Sequence, residues 1–292
     1  LLDQYPFRPM HDTGVGFTTA NIPDPVRGCF TRPLVVWRSL AKPGNWKINA
    51  DDEREPIPMT PLEPTGNNLS AHSMAFNVGD LQLNLEVPKG VWNPTHNGVL
   101  LAETLGALNF SGESVLELGT GCGLHAIILA KRGARELLLT EIDDQILIHA
   151  RKNLDSHQVE IPARLLVADW IQVDVSGHDT LVANPPYCVS GKRYRRYFID
   201  TLILEAHKLV RPGGRIIFIH STMGNMPKTI SLMEDCGMSV KILAEKDFPF
   251  RDYYFDDPGF ILEMAKVPGS YSVRDGVHHE RLVVFEGTLP EN

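Results

Sequence analysis

No stretch of the 292 residues approaches the roughly 20 consecutive apolar residues that a membrane-spanning helix needs. No membrane association is therefore expected. The first residues, with Asp3, Arg8 and the early prolines Pro6 and Pro9, lack the basic segment and apolar core of a secretory leader. Cysteine is scarce and scattered. The four residues Cys29, Cys122, Cys188 and Cys236 form no C-x-x-C pair and no metal-ligand spacing. Reduced thiols in a cytoplasmic protein are the simplest reading, and no metal site is expected. Positive charge is short as well: 28 Lys and Arg stand against 36 Asp and Glu, for a net charge of −8. Sequence-independent nucleic-acid binding depends on cations that neutralise phosphates, so this balance disfavours it unless a local basic patch overrides the total.

Periodicity is missing from residues 1–75, where proline is plentiful instead: Pro6, Pro9, Pro23, Pro25, Pro33, Pro43, Pro56, Pro58, Pro61 and Pro64. Proline removes donors and breaks helices, so long regular elements are not expected there. The segment reads as an irregular wrap, with a substrate lid as the sharper alternative. Residues 76–292 differ. Apolar residues alternate through Met74–Val87 around Val78-Gly79-Asp80, a hairpin signal. Val99–Leu105 reads as a helix. From Ser114 onward strand and helix patterns alternate, with strands at Val115–Leu118, Glu136–Thr140, Ala163–Val167, Asp179–Ala183, Arg215–Ile219, Ser239–Leu243 and Arg281–Phe285. Such alternation predicts an α/β fold with a mainly parallel sheet and helices on both faces. Ligands of these sheets bind outside the carboxyl ends of the strands.

The chemistry-bearing residues fall at those ends. Strand Val115–Leu118 runs into Gly119-Thr120-Gly121-Cys122-Gly123 and then into an apolar helix. Glycines at such a turn let a ligand approach the backbone, and the helix N-terminus offers unpaired N–H groups. Glu141 ends the next strand, where a carboxylate can accept from both hydroxyls of an adenosine ribose. Asp169 and Trp170 follow the third strand, where an adenine would lie. A nicotinamide cofactor fits poorly, because the third glycine, Gly123, falls one position early for G-x-G-x-x-G. After the fourth strand stands Asn184-Pro185-Pro186-Tyr187. Its prolines fix a rigid turn. The Asn184 side-chain oxygen and the Pro185 carbonyl can accept both hydrogens of a planar –NH₂, and Tyr187 can stack on its face. A nitrogen held this way is aligned for attack on an electrophilic carbon.

On these residues the chain resembles the class I S-adenosylmethionine (SAM)-dependent methyltransferases, and within them the HemK-like family, which methylates the glutamine side-chain amide of peptide-chain release factors, and the broader small-domain group. The resemblance covers about residues 81 to 245. It implies a Rossmann-like, seven-stranded doubly wound sheet and SAM as cofactor. It assigns Glu117, Gly119, Thr120, Gly121, Gly123, Glu141, Ile142, Asp169, Trp170 and Asn184 to cofactor binding. The spacing Glu141, Ala150, Asn153 matches the helix that follows the acid in that group. Asn184, Pro185, Pro186 and Tyr187 become the catalytic clamp. Trp92 and Asn97, with the basic loop residues Lys192, Arg193, Arg195 and Arg196, are candidate substrate contacts; a solvated loop is the alternative for the last four. The acceptor implied is a protein glutamine or a small molecule. The same clamp also occurs in adenine-N6 methyltransferases of RNA and DNA, and a non-catalytic SAM-binding partner subunit is the remaining alternative. Oligomeric state is left open. His220, after the fifth strand, is a candidate base or a structural residue, and His278-His279 reads as loop.

Overall fold

The structure, a computed structural model, describes residues 71–89, 91, 93–185, 196–256 and 258–291. Strands β1 (His72–Val78) and β2 (Leu81–Val87) pair antiparallel about the two-residue turn Gly79-Asp80. The hairpin expected from the alternation is present. Its first strand begins at His72, inside the stretch grouped above with the proline-rich segment. Helix α1 (His96–Gly106) follows, and then the alternating units begin.

Strand β3 (Ser114–Leu118), helix α2 (Leu124–Lys131), strand β4 (Glu136–Glu141), helix α3 (Asp144–Ser156), strands β5 (Ala163–Val167) and β6 (His178–Ala183) and helix α4 (Tyr197–Leu209) lead to β7 (Val210–Ser221). Helix α5 (Met226–Asp235), strand β8 (Ser239–Pro249), helix α6 (Pro258–Met264), strand β9 (Ser272–Arg274) and strand β10 (Val277–Thr288) complete the chain. The main sheet has the order β5-β4-β3-β6-β7-β10-β8. The seven strands of the expected doubly wound sheet are there, and β9 adds a short eighth beside β10. Strands β5, β4, β3, β6 and β7 are mutually parallel, whereas β10 is antiparallel to both its neighbours.

Alternation along each strand builds two cores. Val115, Leu137, Leu139, Val182, Ile217, Ile219, Leu282 and Val284 face α1, α2 and the hairpin. Their neighbours Leu116, Leu138, Leu181, Ile216, Phe218, Val283 and Phe285 face α4 and α5. Strands buried on both sides read as continuous apolar runs, and each fully buried aliphatic side chain contributes roughly 1.5–3 kcal/mol. The order of the strands reverses direction between β3 and β6. A crevice opens at such a switch point, and β3 and β6 both end there.

Candidate functional site

The paired registers fix the site. Leu118 of β3 lies opposite Thr140 of β4 on one side and Ala183 of β6 on the other. The residues that follow, Gly119, Glu141 and Asn184, therefore emerge side by side at one edge of the sheet. Gly119 has φ +72, and a Cβ there would stand in open space, so its backbone rather than crowding requires glycine. Gly123, with φ +84, is required on both counts. A Cβ would meet Leu154 Cδ1 at 3.0 Å, because the turn rests directly on α3 at Ala150. Gly119 is exposed while Thr120 and Gly123 are buried, so one face of the turn is open.

Beneath the turn lies a polar cluster. Glu117 is 2% exposed; Thr120 donates its hydroxyl to Oε2 at 2.8 Å, and His125 Nδ1 lies 3.2 Å from Oε1. The other ring nitrogen of His125 lies 3.0 Å from the carbonyl of Gly98 in α1. Glu141 accepts from the N–H of Gly121 at 3.1 Å and from the N–H of Ile142 at 2.9 Å. Burial outweighs these two donors and raises its pKa above the ordinary carboxylate value. Ile142 presents a 43% exposed apolar side chain beside it. Asp169 is exposed at the tip after β5 and forms an isolated bridge with Gln172. Trp170 is at φ +49, and its indole is turned toward α4, where Nε1 donates to Thr201 Oγ1 at 2.9 Å and the ring meets Phe198 edge-on.

Asn184 is exposed and Pro185 buried at the end of β6. A Cβ on Gly98 would stand 3.8 Å from Asn184 Nδ2, so the first turn of α1 packs against the asparagine. Pro186, Tyr187, Lys192, Arg193, Arg195 and Trp92 lie outside the described residues. Asn97 accepts from Arg251 Nη2 at 2.8 Å, and Arg251 also donates to Thr95 Oγ1 and to the Tyr253 hydroxyl. Arg196 is engaged in the packing of α4: it pairs with Asp200 at 2.6 Å and donates to the carbonyls of Gly224 and Asn225 and to Thr229 Oγ1. A guanidinium so engaged is a strut between α4 and α5, in contrast to the substrate contact expected from its place in the basic loop. His220 is fully buried on β7, away from solvent. The aromatic tail residues Phe250, Tyr254, Phe260, Tyr271 and His278 pack on one another, and Phe248 stacks on His96 at 4.3 Å. Between α1 and β8 they leave a groove of about 460 Å³ bordered by His96, Val99, Glu103, Lys246, Phe248 and Arg251.

Comparison with known families decides what this strand-end arrangement belongs to. The pattern of the methyltransferase small domain family matches residues 96–248, just over half of the chain. The chain belongs to that family. It is a SAM-dependent methyltransferase with a class I, Rossmann-like fold. A Methanocaldococcus jannaschii protein assigned by name as a protein N5-glutamine methyltransferase is 24% identical over 185 residues, covering 58% of this chain and 92% of its own. The rRNA N6-adenosine-methyltransferase of Caenorhabditis elegans is 27% identical over 128 residues, covering 42% of this chain and 57% of its own. Among solved structures, a T. thermophilus 16S rRNA N2 methyltransferase in complex with AdoMet and guanosine superposes with a TM-score of 0.52 at 19% identity. That match covers 76% of this methyltransferase and 51% of the other chain, and it speaks to the fold. The cofactor also fits the residues present. The turn is open above Gly119, a half-buried carboxylate ends β4, and an exposed apolar residue stands next to it.

Two features had little or no sequence signal. His125 sits in a largely apolar helix whose other polar residue, Lys131, is its last, and only the contacts across the sheet edge show that it links Glu117 to α1. The segment beyond Lys246 carried no motif, yet it supplies Arg251 and Phe248 beside the first turn of α1.

Proposed function

We propose that this methyltransferase transfers the methyl group of SAM to a planar amide or amino nitrogen, on a protein glutamine side chain or on a small molecule. The reading rests on one observation: the parallel register of Leu118 with Ala183 sets the glycine-rich turn and Asn184 at adjacent strand ends. SAM, when bound, supplies a methyl group made electrophilic by its sulfonium charge. The N–H groups of Gly121 and Ile142 orient Glu141, which accepts from the ribose hydroxyls. Ile142 and the backbone at Asp169-Trp170 border the adenine, and Glu117 and Thr120 underlie the turn. On the acceptor side, the Asn184 side-chain oxygen and the Pro185 carbonyl accept the two hydrogens of the nitrogen, and Tyr187 stacks on its plane. Asn97 and the loop cations Lys192, Arg193 and Arg195 contact the rest of the acceptor, with Trp92 ahead of α1. Alignment of nucleophile and electrophile accounts for much of the rate, and the spare proton leaves once the nitrogen is alkylated.

The similarity to an N5-glutamine relative along 92% of its length supports a glutamine acceptor. A second reading, transfer to adenine N6, draws on the C. elegans relative and on the cations Lys246 and Arg251 beside the α1–β8 groove. Labelled methyl groups followed from SAM into the protein, metabolite and nucleic-acid fractions of a lysate separate the two. Label in protein or metabolites supports the first. Label in nucleic acid, falling steeply with salt, supports the second. Label in no fraction would contradict transfer itself.

A further inference from the structure

We propose that His125 is a positioning residue that couples the cofactor side of the site to the acceptor side. It is the second residue of α2, is 7% exposed and touches two partners that belong to different halves of the crevice. Nδ1 lies 3.2 Å from Glu117 Oε1, and Nε2 lies 3.0 Å from the Gly98 carbonyl. A carbonyl only accepts, so Nε2 carries a proton and donates. The contact between Nδ1 and Oε1 then requires a proton of its own, held between imidazole and carboxylate. The Thr120 hydroxyl occupies the other carboxylate oxygen at 2.8 Å, which leaves Glu117 fixed from both sides.

Gly98 carries the chain of contacts onward. It is buried, and a Cβ on it would stand 3.4 Å from Pro94 Cβ and 3.8 Å from Asn184 Nδ2. The path therefore runs from the glycine-rich turn through Glu117, His125 and Gly98 to Asn184. Packing of α2 against α1 does not by itself need an imidazole, since the surrounding positions Leu124, Ala126 and Ile127 are apolar. A buried polar link is costly unless every member has its partner, and this one has. The inference rests on the reading of Gly119–Gly123 as the SAM turn. In it, positive charge arriving over Glu117 is relayed to the backbone that abuts the acceptor asparagine.

Two substitutions split the relay. In His125→Gln the amide nitrogen stands near the place of Nε2, keeps Gly98 and gives up Glu117. In His125→Asn it stands near the place of Nδ1, keeps Glu117 and gives up Gly98. The measurement is hydrogen exchange of the α1 amides Val99 to Leu101 with and without saturating SAM, with SAM affinity determined by calorimetry. SAM is expected to slow exchange in α1 of the wild type by about tenfold, a usual size for coupling between sites. His125→Gln should bind SAM, show wild-type exchange in α1 without it, and lose the slowing. His125→Asn should lose the slowing as well. A residue that merely staples α1 would leave the SAM effect intact in His125→Gln, and that result overturns the proposal, as does the same result in His125→Asn should the glutamine variant not fold. Absence of any SAM effect on α1 in a wild type that binds SAM also overturns it. A wild type that does not bind SAM would instead remove the cofactor reading on which it rests.

Discussion

His220 is a residue that the fold keeps neutral. It is wholly enclosed on β7, where a Cβ on Gly224 would come within 2.0 Å of its ring. Burial first, and then the Arg196 guanidinium, lowers its pKa from 6.5 to about 3. The unfolded chain takes up a proton near pH 6.5 that the folded chain refuses. Its contribution to stability is thus complete above that pH and declines as pH falls toward 3, by about 1.4 kcal/mol per unit. Urea unfolding of wild type and His220→Asn between pH 7.5 and 4.5 should show the variant less sensitive to acid by that slope; parallel curves would contradict this. A histidine so enclosed has no path to a substrate proton. Of the two roles open to it in the sequence, the structural one fits. Cys122 is likewise placed for packing: burial pushes its thiol up to about 11, which leaves it unreactive under the turn.

At the scale of elements, Asn153 joins three pieces of the site. From α3 it accepts from the Glu86 N–H at 3.0 Å and donates to the carbonyls of Glu86 and Cys122 at 2.9 and 2.8 Å. The β1–β2 hairpin is thereby fastened to the underside of the glycine-rich turn. Asn153→Ala strands these backbone groups, each worth about 1–3 kcal/mol when buried without a partner. The expected result is a loss of a few kcal/mol in urea unfolding, with faster hydrogen exchange at Glu86 before global unfolding; an unchanged Glu86 amide would contradict the fastening. The hairpin, α1, and the units from β3 through β7 were legible in the sequence because the hairpin alternates and the later strands are short apolar runs set between helices, although β7 extends from Val210 to Ser221, beyond the Arg215–Ile219 run. The edge strand β8 was legible only to Leu243. Beyond it Glu245, Lys246 and Asp247 obscure the alternation, and the pairing with β10, with its irregularity at Val284/Phe285, carries the strand on to Pro249. Arg281 bonds Asp247 across that ladder at 2.7 Å and holds its carboxyl below the usual range. No local pattern announces such a cross-strand pair. Helix α6 and the aromatic cluster around Phe250 were hidden because no regular period links Phe250, Tyr254 and Phe260, and Tyr271 and His278 join them from further along the chain.

At the scale of the whole molecule, the sheet brings residues from five separate segments to one edge. Along that edge Asp169 after β5, Glu141 after β4, the turn after β3 and Asn184 after β6 follow one another, and the first turn of α1 closes against Asn184. The motifs were readable individually; that Gly119 and Asn184 are neighbours follows from the order β4-β3-β6, which local sequence does not specify. Among the described residues no helix is long and apolar enough to cross a membrane. The central claim is a division of labour, with SAM held at the ends of β3 and β4 and the acceptor nitrogen held at the end of β6. Asn184→Ala tests it most directly, with SAM affinity measured by calorimetry beside the rate of methyl transfer from labelled SAM. The account predicts loss of turnover with SAM affinity largely unchanged. Loss of SAM binding together with turnover, or transfer that persists at the wild-type rate, would contradict it.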